Sequence, residues 1–167
     1  RVTRMDAEGT VTTIAERWDG KRFHKPNDVI CRSDGTIYFT DPSLRVPEAE
    51  REYDFAGVFK IATDGQISVA TDGCEYPNGL AFSPDEKHLY VADSLDKFIN
   101  VYEVSEDGYP INGKLFADMN TGDEGVPDGM KMDTEGRLYS SGPGGIWVFE
   151  SSGLLLGRIL TREIPAN

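Results

Sequence analysis

The stretch Pro26-Asn27-Asp28-Val29-Ile30-Cys31-Arg32-Ser33-Asp34-Gly35-Thr36-Ile37-Tyr38-Phe39 decides the fold, because it comes round twice more. Its opening phrase returns as Pro77-Asn78-Gly79 and again as Pro127-Asp128-Gly129. Asn27 and Asn78 are 51 positions apart, and Asn78 and Asp128 are 50 apart. Each phrase leads into an apolar run, an acidic or Gly-rich turn, and a second run with aromatic and β-branched residues. Thus Leu80-Ala81-Phe82 passes through Pro84-Asp85 to Leu89-Tyr90-Val91, and Met130-Lys131-Met132 passes through Glu135-Gly136 to Leu138-Tyr139. Self-similarity at a fixed period of roughly 20–50 residues marks a solenoid, propeller or array.

Outward from this core the apolar periodicity is mostly two. Turn signals recur at Asp6-Ala7-Glu8-Gly9, Asp19-Gly20, Thr63-Asp64-Gly65, Asp72-Gly73, Glu106-Asp107-Gly108 and Ser151-Ser152-Gly153. Many short strands with Gly-rich turns predict an all-β fold. Four strands per repeat fit a β-propeller blade. They are expected near 28–32, 36–40, 56–62 and 66–71, then 79–83, 88–92, 98–104 and 113–118, then 129–133, 137–141, 145–149 and 154–160. The chain is therefore read as part of a single propeller domain, residues 1–167, with a blade remnant at about 1–20 and blades at about 21–73, 74–123 and 124–167. The remnant supplies a hairpin, Val2 to Met5 and Val11 to Ala15. About three and a half blades fall short of the four to eight of a closed ring, so a longer chain or a partner is expected to cover the open faces.

The 167 residues carry 17 Lys and Arg against 29 Asp and Glu, a net charge of −12. That balance argues against nucleic acid and anionic membranes as partners and favours cations, although solubility alone also accounts for it. No apolar run reaches the roughly 18–20 residues that span a bilayer. The chain opens at Arg1 without an initiator Met, so cytoplasm and periplasm both stay open. Oligomeric state is not legible. Of the two cysteines, Cys31 lies in an apolar strand pattern and is expected to be a buried free thiol, while Cys74 sits in a turn. The longest irregular stretch, Asp41 to Ala56, reads either as a rim over a central pocket or as a surface excursion.

In a propeller the innermost strand of each blade begins near the axis, and the repeated phrase stands just before that strand. Asn27, Asn78 and Asp128 are therefore expected to converge. Amide and carboxylate oxygens suit a hard divalent cation. A single Pro-Asn-Gly phrase is an ordinary turn, since Asn bonds its own backbone and Gly tolerates positive φ; three in register favour a shared site. His24 and His88 occupy unlike places in the repeat, which weakens a zinc site built on histidine. Asp28 reads as either a supporting group behind a ligand or a strand-entry cap. Asp41 and Asp93 close matching strands and are expected to satisfy blade turns. Tyr38, Tyr90 and Tyr139 recur on the second strand and are expected to pack between blades, Trp147 and Phe149 to be core, and Trp18 to line a pocket or cap a blade.

Three stretches carry a resemblance: Lys25-Pro26-Asn27-Asp28-Val29 with Tyr38-Phe39-Thr40-Asp41-Pro42, Tyr76-Pro77-Asn78-Gly79-Leu80-Ala81-Phe82-Ser83-Pro84-Asp85, and Val126-Pro127-Asp128-Gly129-Met130. Together with Arg1-Val2-Thr3-Arg4 and Trp18-Asp19-Gly20-Lys21 they resemble the gluconolactonase, regucalcin and related lactonase family over essentially the whole chain. The resemblance implies a six-bladed propeller holding one divalent cation, Ca²⁺ foremost, with Mg²⁺, Zn²⁺ or Mn²⁺ as alternatives. It implies Asn78 and Asp128 as metal ligands and Asn27 as a residue that contacts the ion or its bound substrate and water. The family's fourth ligand, a Glu in an early Glu-Gly-Pro motif, has no match here, since Glu8-Gly9 is followed by Thr10; the chain is expected to start after it. Lys25 stands where regucalcin-type members place an Arg that contacts sugar. The implied activity is hydrolysis of a small sugar-type lactone, with Asp128 as base and Asn27 orienting substrate and water. Alternatives are phosphotriester hydrolysis at the same site, or a propeller that binds a ligand or protein without catalysis.

Overall fold

Alternating apolar residues and left-handed turn positions divide the described residues into sixteen short strands. The computed structural model describes residues 1–166. β1 (Val2–Met5) and β2 (Val11–Ala15) form the first hairpin. β3 (Arg17–Trp18) and β4 (Lys21–Arg22) form a two-residue ribbon around Asp19-Gly20. Both central residues of that ribbon have positive φ, 50° and 76°, the twist that a two-residue hairpin needs and that Asp-Gly supplies at little strain.

Three antiparallel sheets of four strands follow, each in plain sequence order. The first holds β5 (Val29–Cys31), β6 (Ile37–Asp41), β7 (Gly57–Ile61) and β8 (Ile67–Thr71). The second holds β9 (Pro77–Phe82), β10 (His88–Asp93), β11 (Phe98–Val104) and β12 (Pro110–Asp118). The third holds β13 (Met130–Met132), β14 (Leu138–Gly142), β15 (Gly145–Phe149) and β16 (Leu155–Leu160). β5 and β13 both lie against β9, so the first strands of the three sheets share one centre. With the hairpins, this makes about three and a half propeller blades, all-β except for one 3-10 turn at Glu48–Glu50.

Period-two alternation sends neighbouring residues of each strand into different inter-sheet layers. Tyr38 packs with Val58, Leu80, Leu89, Val91 and Tyr102 between the first and second sheets. Tyr90 packs with Ile99, Met130, Leu138, Trp147 and Phe149 between the second and third. Phe39 faces the other way, with Val2, Ala15, Phe23 and Phe59, against the first hairpin. Trp18 caps this layer edge-on to Tyr53, Phe55 and Phe59. Tyr139 is half-buried, its hydroxyl 3.4 Å from Asp133.

Cys31 departs from expectation. It is exposed, and Cys74 is the buried thiol. Cys31 pairs with Ile37 and Val29 with Phe39, on the side of the sheet that meets the first hairpin, and that two-stranded hairpin covers Phe39 and leaves Val29 and Cys31 exposed. Both cysteines are free. On the outermost strand Leu156, Ile159 and Leu160 are exposed, as are Met5 and Val11 on the first hairpin. No helix is long and apolar enough to cross a membrane among the described residues.

Candidate functional site

The repeated phrase is held in place by matching clamps. In the first sheet the buried carboxylate of Asp41 accepts the backbone N–H of His24 at 2.8 Å and of Lys25 at 2.7 Å. In the second, Asp93 accepts the N–H of Glu75 at 2.7 Å and of Tyr76 at 3.2 Å. These donors lie three and two residues before Asn27 and Asn78 respectively. In the third sheet the matching residue is Gly142, and the clamp is replaced by direct backbone contact. A Cβ on Gly125, three residues before Asp128, would lie 3.0 Å from the Gly142 carbonyl oxygen.

So positioned, the three axial residues approach one another. Asn27 Nδ2 donates to Asn78 Oδ1 at 2.6 Å. Asn78 Nδ2 donates to Ser94 Oγ at 2.9 Å, and Ser94 Oγ donates to the Pro127 carbonyl at 2.6 Å. The chain of bonds thus runs from the first sheet through the second to the residue beside Asp128. Asn78 and Ser94 are buried, Asp128 is half-buried, and Asn27 and Lys25 are exposed at the open end.

The glycine of the repeated phrase is not a turn glycine. Neither Gly79 nor Gly129 has positive φ, and Pro77, Asn78 and Gly79 open β9 in the extended conformation. A Cβ on Gly79 would lie 1.9 Å from the Asp128 carbonyl oxygen. Only a residue without a side chain lets the Asn78 and Asp128 backbones come this close. At this phrase the glycine therefore serves a close contact between the second and third sheets and not a left-handed turn.

Asp28 links sheets. Its carboxylate accepts the N–H of Val29 at 2.9 Å and, across the sheet boundary, that of Leu80 at 2.8 Å. It also acts on Asp128 through space. Burial first, and then the charge of Asp28, push the Asp128 carboxyl above its usual range, while the Asn78 amide and Arg45 pull the other way. Two carboxylates facing each other in a half-buried place is the electrostatics that a cation relieves.

Three groups here had no signal in the repeat. Ser94 stands where the other two sheets have Pro42 and Pro143, so comparison of repeats hides it. Arg45 comes from the irregular 42–56 stretch and lies over the Tyr76 ring, 5.8 Å from its centroid. Gly79 reads as a turn residue until its backbone is seen. The far half of the irregular stretch is pinned by Tyr53, whose hydroxyl donates to Asp41.

The donor set fits a hard cation. It offers the carboxylate of Asp128 and the carboxamide oxygens of Asn27 and Asn78, all oxygen. No group of three His, Cys, Asp or Glu side chains placed to hold a metal occurs among the described residues, so the candidate set rests on one carboxylate and two carboxamides. His24 is a structural residue: its Nε2 bonds the Tyr53 carbonyl at 3.1 Å and its ring stacks on Tyr53 at 4.0 Å.

The sequence model of the SMP-30/Gluconolactonase/LRE-like region matches residues 1–167. The chain is 36% identical over 159 residues to a gluconolactonase of Zymomonas mobilis, covering 89% of this chain and 45% of that protein. A solved gluconolactonase from Xanthomonas campestris superposes with a TM-score of 0.88 at 39% identity, over 99% of this chain and 57% of the other. A regucalcin from Agrobacterium tumefaciens, described as calcium-binding, shares the fold at a TM-score of 0.76 and 22% identity, over 97% of this chain and 54% of the other. The chain spans about half the length of the relatives it matches.

Proposed function

The chain belongs to the SMP-30/gluconolactonase/LRE-like family, and we propose that it carries the axial residues of a hydrolase that opens sugar-type lactones with a divalent cation, Ca²⁺ foremost. The observation that carries this reading is the hydrogen-bond chain from Asn27 through Asn78 and Ser94 to the Pro127 carbonyl, which joins three sheets and ends at the residue beside Asp128. Support also comes from the gluconolactonase relatives in sequence and structure.

On this reading the Asn78 and Asn27 carboxamide oxygens and the Asp128 carboxylate hold the ion. When bound, it supplies Lewis-acid polarisation of the lactone carbonyl and stabilises developing oxyanion charge. The protein does the rest. Asp128 is the general base, a half-buried carboxylate that accepts the proton of the attacking water. The oxygen of water bonds to the carbonyl carbon while its proton passes to an Asp128 oxygen. The ring C–O bond then breaks, and the departing oxygen takes that proton, leaving a hydroxy acid. Asn27 orients water and substrate from the exposed edge. Lys25 contacts substrate hydroxyls at the rim. Asp28 keeps the Asn27 and Asn78 strands in register through Leu80.

The test is hydrolysis of glucono-1,5-lactone by the full-length protein, followed as acid release at constant pH. The expected result is a rate above the uncatalysed one that a chelator abolishes and Ca²⁺ restores. A chelator-insensitive rate, or none beyond background, would overturn the proposal.

A further inference from the structure

Away from the axis, the two inter-sheet gaps differ in one respect. The gap between the first and second sheets is sealed by side chains. Ser33 bonds Glu86 through its N–H and its hydroxyl, both at 2.7 Å. Arg32 reaches the same carboxylate at 3.6 Å. Lys60 Nζ lies 4.0 Å from the Tyr109 ring centroid, and the Tyr109 hydroxyl bonds Ser68 Oγ at 3.1 Å. The Tyr38 hydroxyl donates to the Gly108 carbonyl.

Strand register gives the counterpart of each residue in the next gap. Tyr38 pairs with Ile30 and Lys60, and Lys60 with Ser68. Tyr90 pairs with Ala81 and Val101, and Val101 with Lys114. The turn residues Gly35, Glu86 and Gly136 all have positive φ and close the same N–H to C=O bond. So Arg32 and Ser33 become Ser83 and Pro84, Glu86 becomes Gly136, Lys60 becomes Val101 and Ser68 becomes Lys114. By the equivalent turns 105–109 and 150–154, Tyr109 becomes Leu154. Of the sealing groups only the second-strand tyrosine is kept, as Tyr90, and Leu154, 59% exposed, is not among the residues that line the gap.

What remains is a cleft of about 560 Å³ between the second and third sheets. That volume is in the small-molecule range. Its walls include Tyr90, Phe116, Met132 and Val101, with Lys114 at the place that receives the Tyr109 hydroxyl in the sealed gap. Tyr90 and Phe116 meet edge to face at 4.9 Å. Tyr90 is 4% exposed, and its hydroxyl has no hydrogen-bond partner among the described residues. The hydroxyl reaches the open space of the cleft, and a phenolic O–H on such a wall can donate to an acceptor bound there.

We propose that this cleft is a binding site for a small phenolic molecule, whose ring takes the place that Tyr109 fills in the sister gap and whose oxygen meets Lys114. The site shares no residue with the axial set and is independent of the lactonase reading. The test is NMR of methyl-labelled methionine in the full-length protein, titrated with p-cresol. Met132 lines the cleft, and Met5 lies on the first hairpin as an internal control. The expected result is a saturable shift at Met132 and none at Met5. Leu154→Tyr, a surface change that rebuilds the plug, should abolish the saturable shift. Lys114→Met should weaken binding roughly tenfold by removing a charged hydrogen bond. The proposal is overturned by no saturable shift at Met132, by a shift that survives Leu154→Tyr, or by affinity unchanged in Lys114→Met.

Discussion

Asn27 donates its amide hydrogen to Asn78 Oδ1 at 2.6 Å, joining two residues on neighbouring sheets whose chain positions are 51 apart. The bond leaves Asn78 Nδ2 to be satisfied from the other side, and Ser94 does this while also bonding the Pro127 carbonyl. Asn78 therefore has a fixed orientation, with its oxygen toward the first sheet and its nitrogen toward Ser94.

Ser94→Ala should release that orientation. It strands a buried amide N–H and a buried carbonyl, which costs about 1–3 kcal/mol of stability. If the cation sits where proposed, affinity for it should fall roughly 10–100-fold, the range for loss of a ligand's supporting partner. Thermal unfolding and a calcium titration on the same preparation check both. Stability that falls while calcium affinity holds would mean that Ser94 supports only the fold.

Gly79→Ala should be worse than its single methyl group suggests. The new Cβ would meet the Asp128 carbonyl at 1.9 Å, and both partners are backbone, so neither can rotate away. A loss of at least about 1–3 kcal/mol is expected from overpacking alone. Asp128 should also be displaced. The matched control is Gly9→Ala, where no atom lies within 4 Å and the strain is that of a φ of 83° only. Denaturant unfolding of the two variants should separate steric from conformational loss, with Gly79→Ala the less stable.

His24 predicts a pH dependence. Burial holds its imidazole below the usual value of 6.5, against the opposing pull of Asp41, with Arg51 lowering it further and Glu52 raising it. Its Nδ1 has no hydrogen-bond partner and lies 3.6 Å from Asp41 Oδ2. The folded state thus binds a proton less readily than the unfolded one. Its contribution to stability is fully present above pH 6.5 and is lost as pH falls through the folded value below it. The unfolding midpoint of the parent should drop as pH falls below 6.5, and His24→Gln should flatten that part of the profile. An identical slope in the two proteins would show that other groups set it.

The repeat made most of the fold legible. The phrase at Asn27, Asn78 and Asp128 fixed the period, and period-two runs between turn residues placed most strands within two residues; β12 starts earlier, at Pro110, and the two-residue strands β3 and β4 are too short to leave a periodic signal. The clamp made by Asp41 and Asp93 was also legible as a turn-satisfying role, since both close matching strands. What escaped lies where repeats differ or where a pattern gives periodicity without a face. Ser94 has proline in its place in the other sheets, and Arg45 comes from a stretch with no repeat partner. Cys31 obeys the apolar strand pattern yet is exposed, because sequence alternation cannot say how much of a strand's face its neighbour covers.

The most direct test of the central claim is calorimetric titration of the full-length protein with Ca²⁺, beside its Asp128→Ala variant. The account predicts one ion bound per chain in the parent, with binding and lactone hydrolysis lost together in the variant. A parent that binds no divalent ion, or a variant that binds and hydrolyses as the parent does, would contradict it.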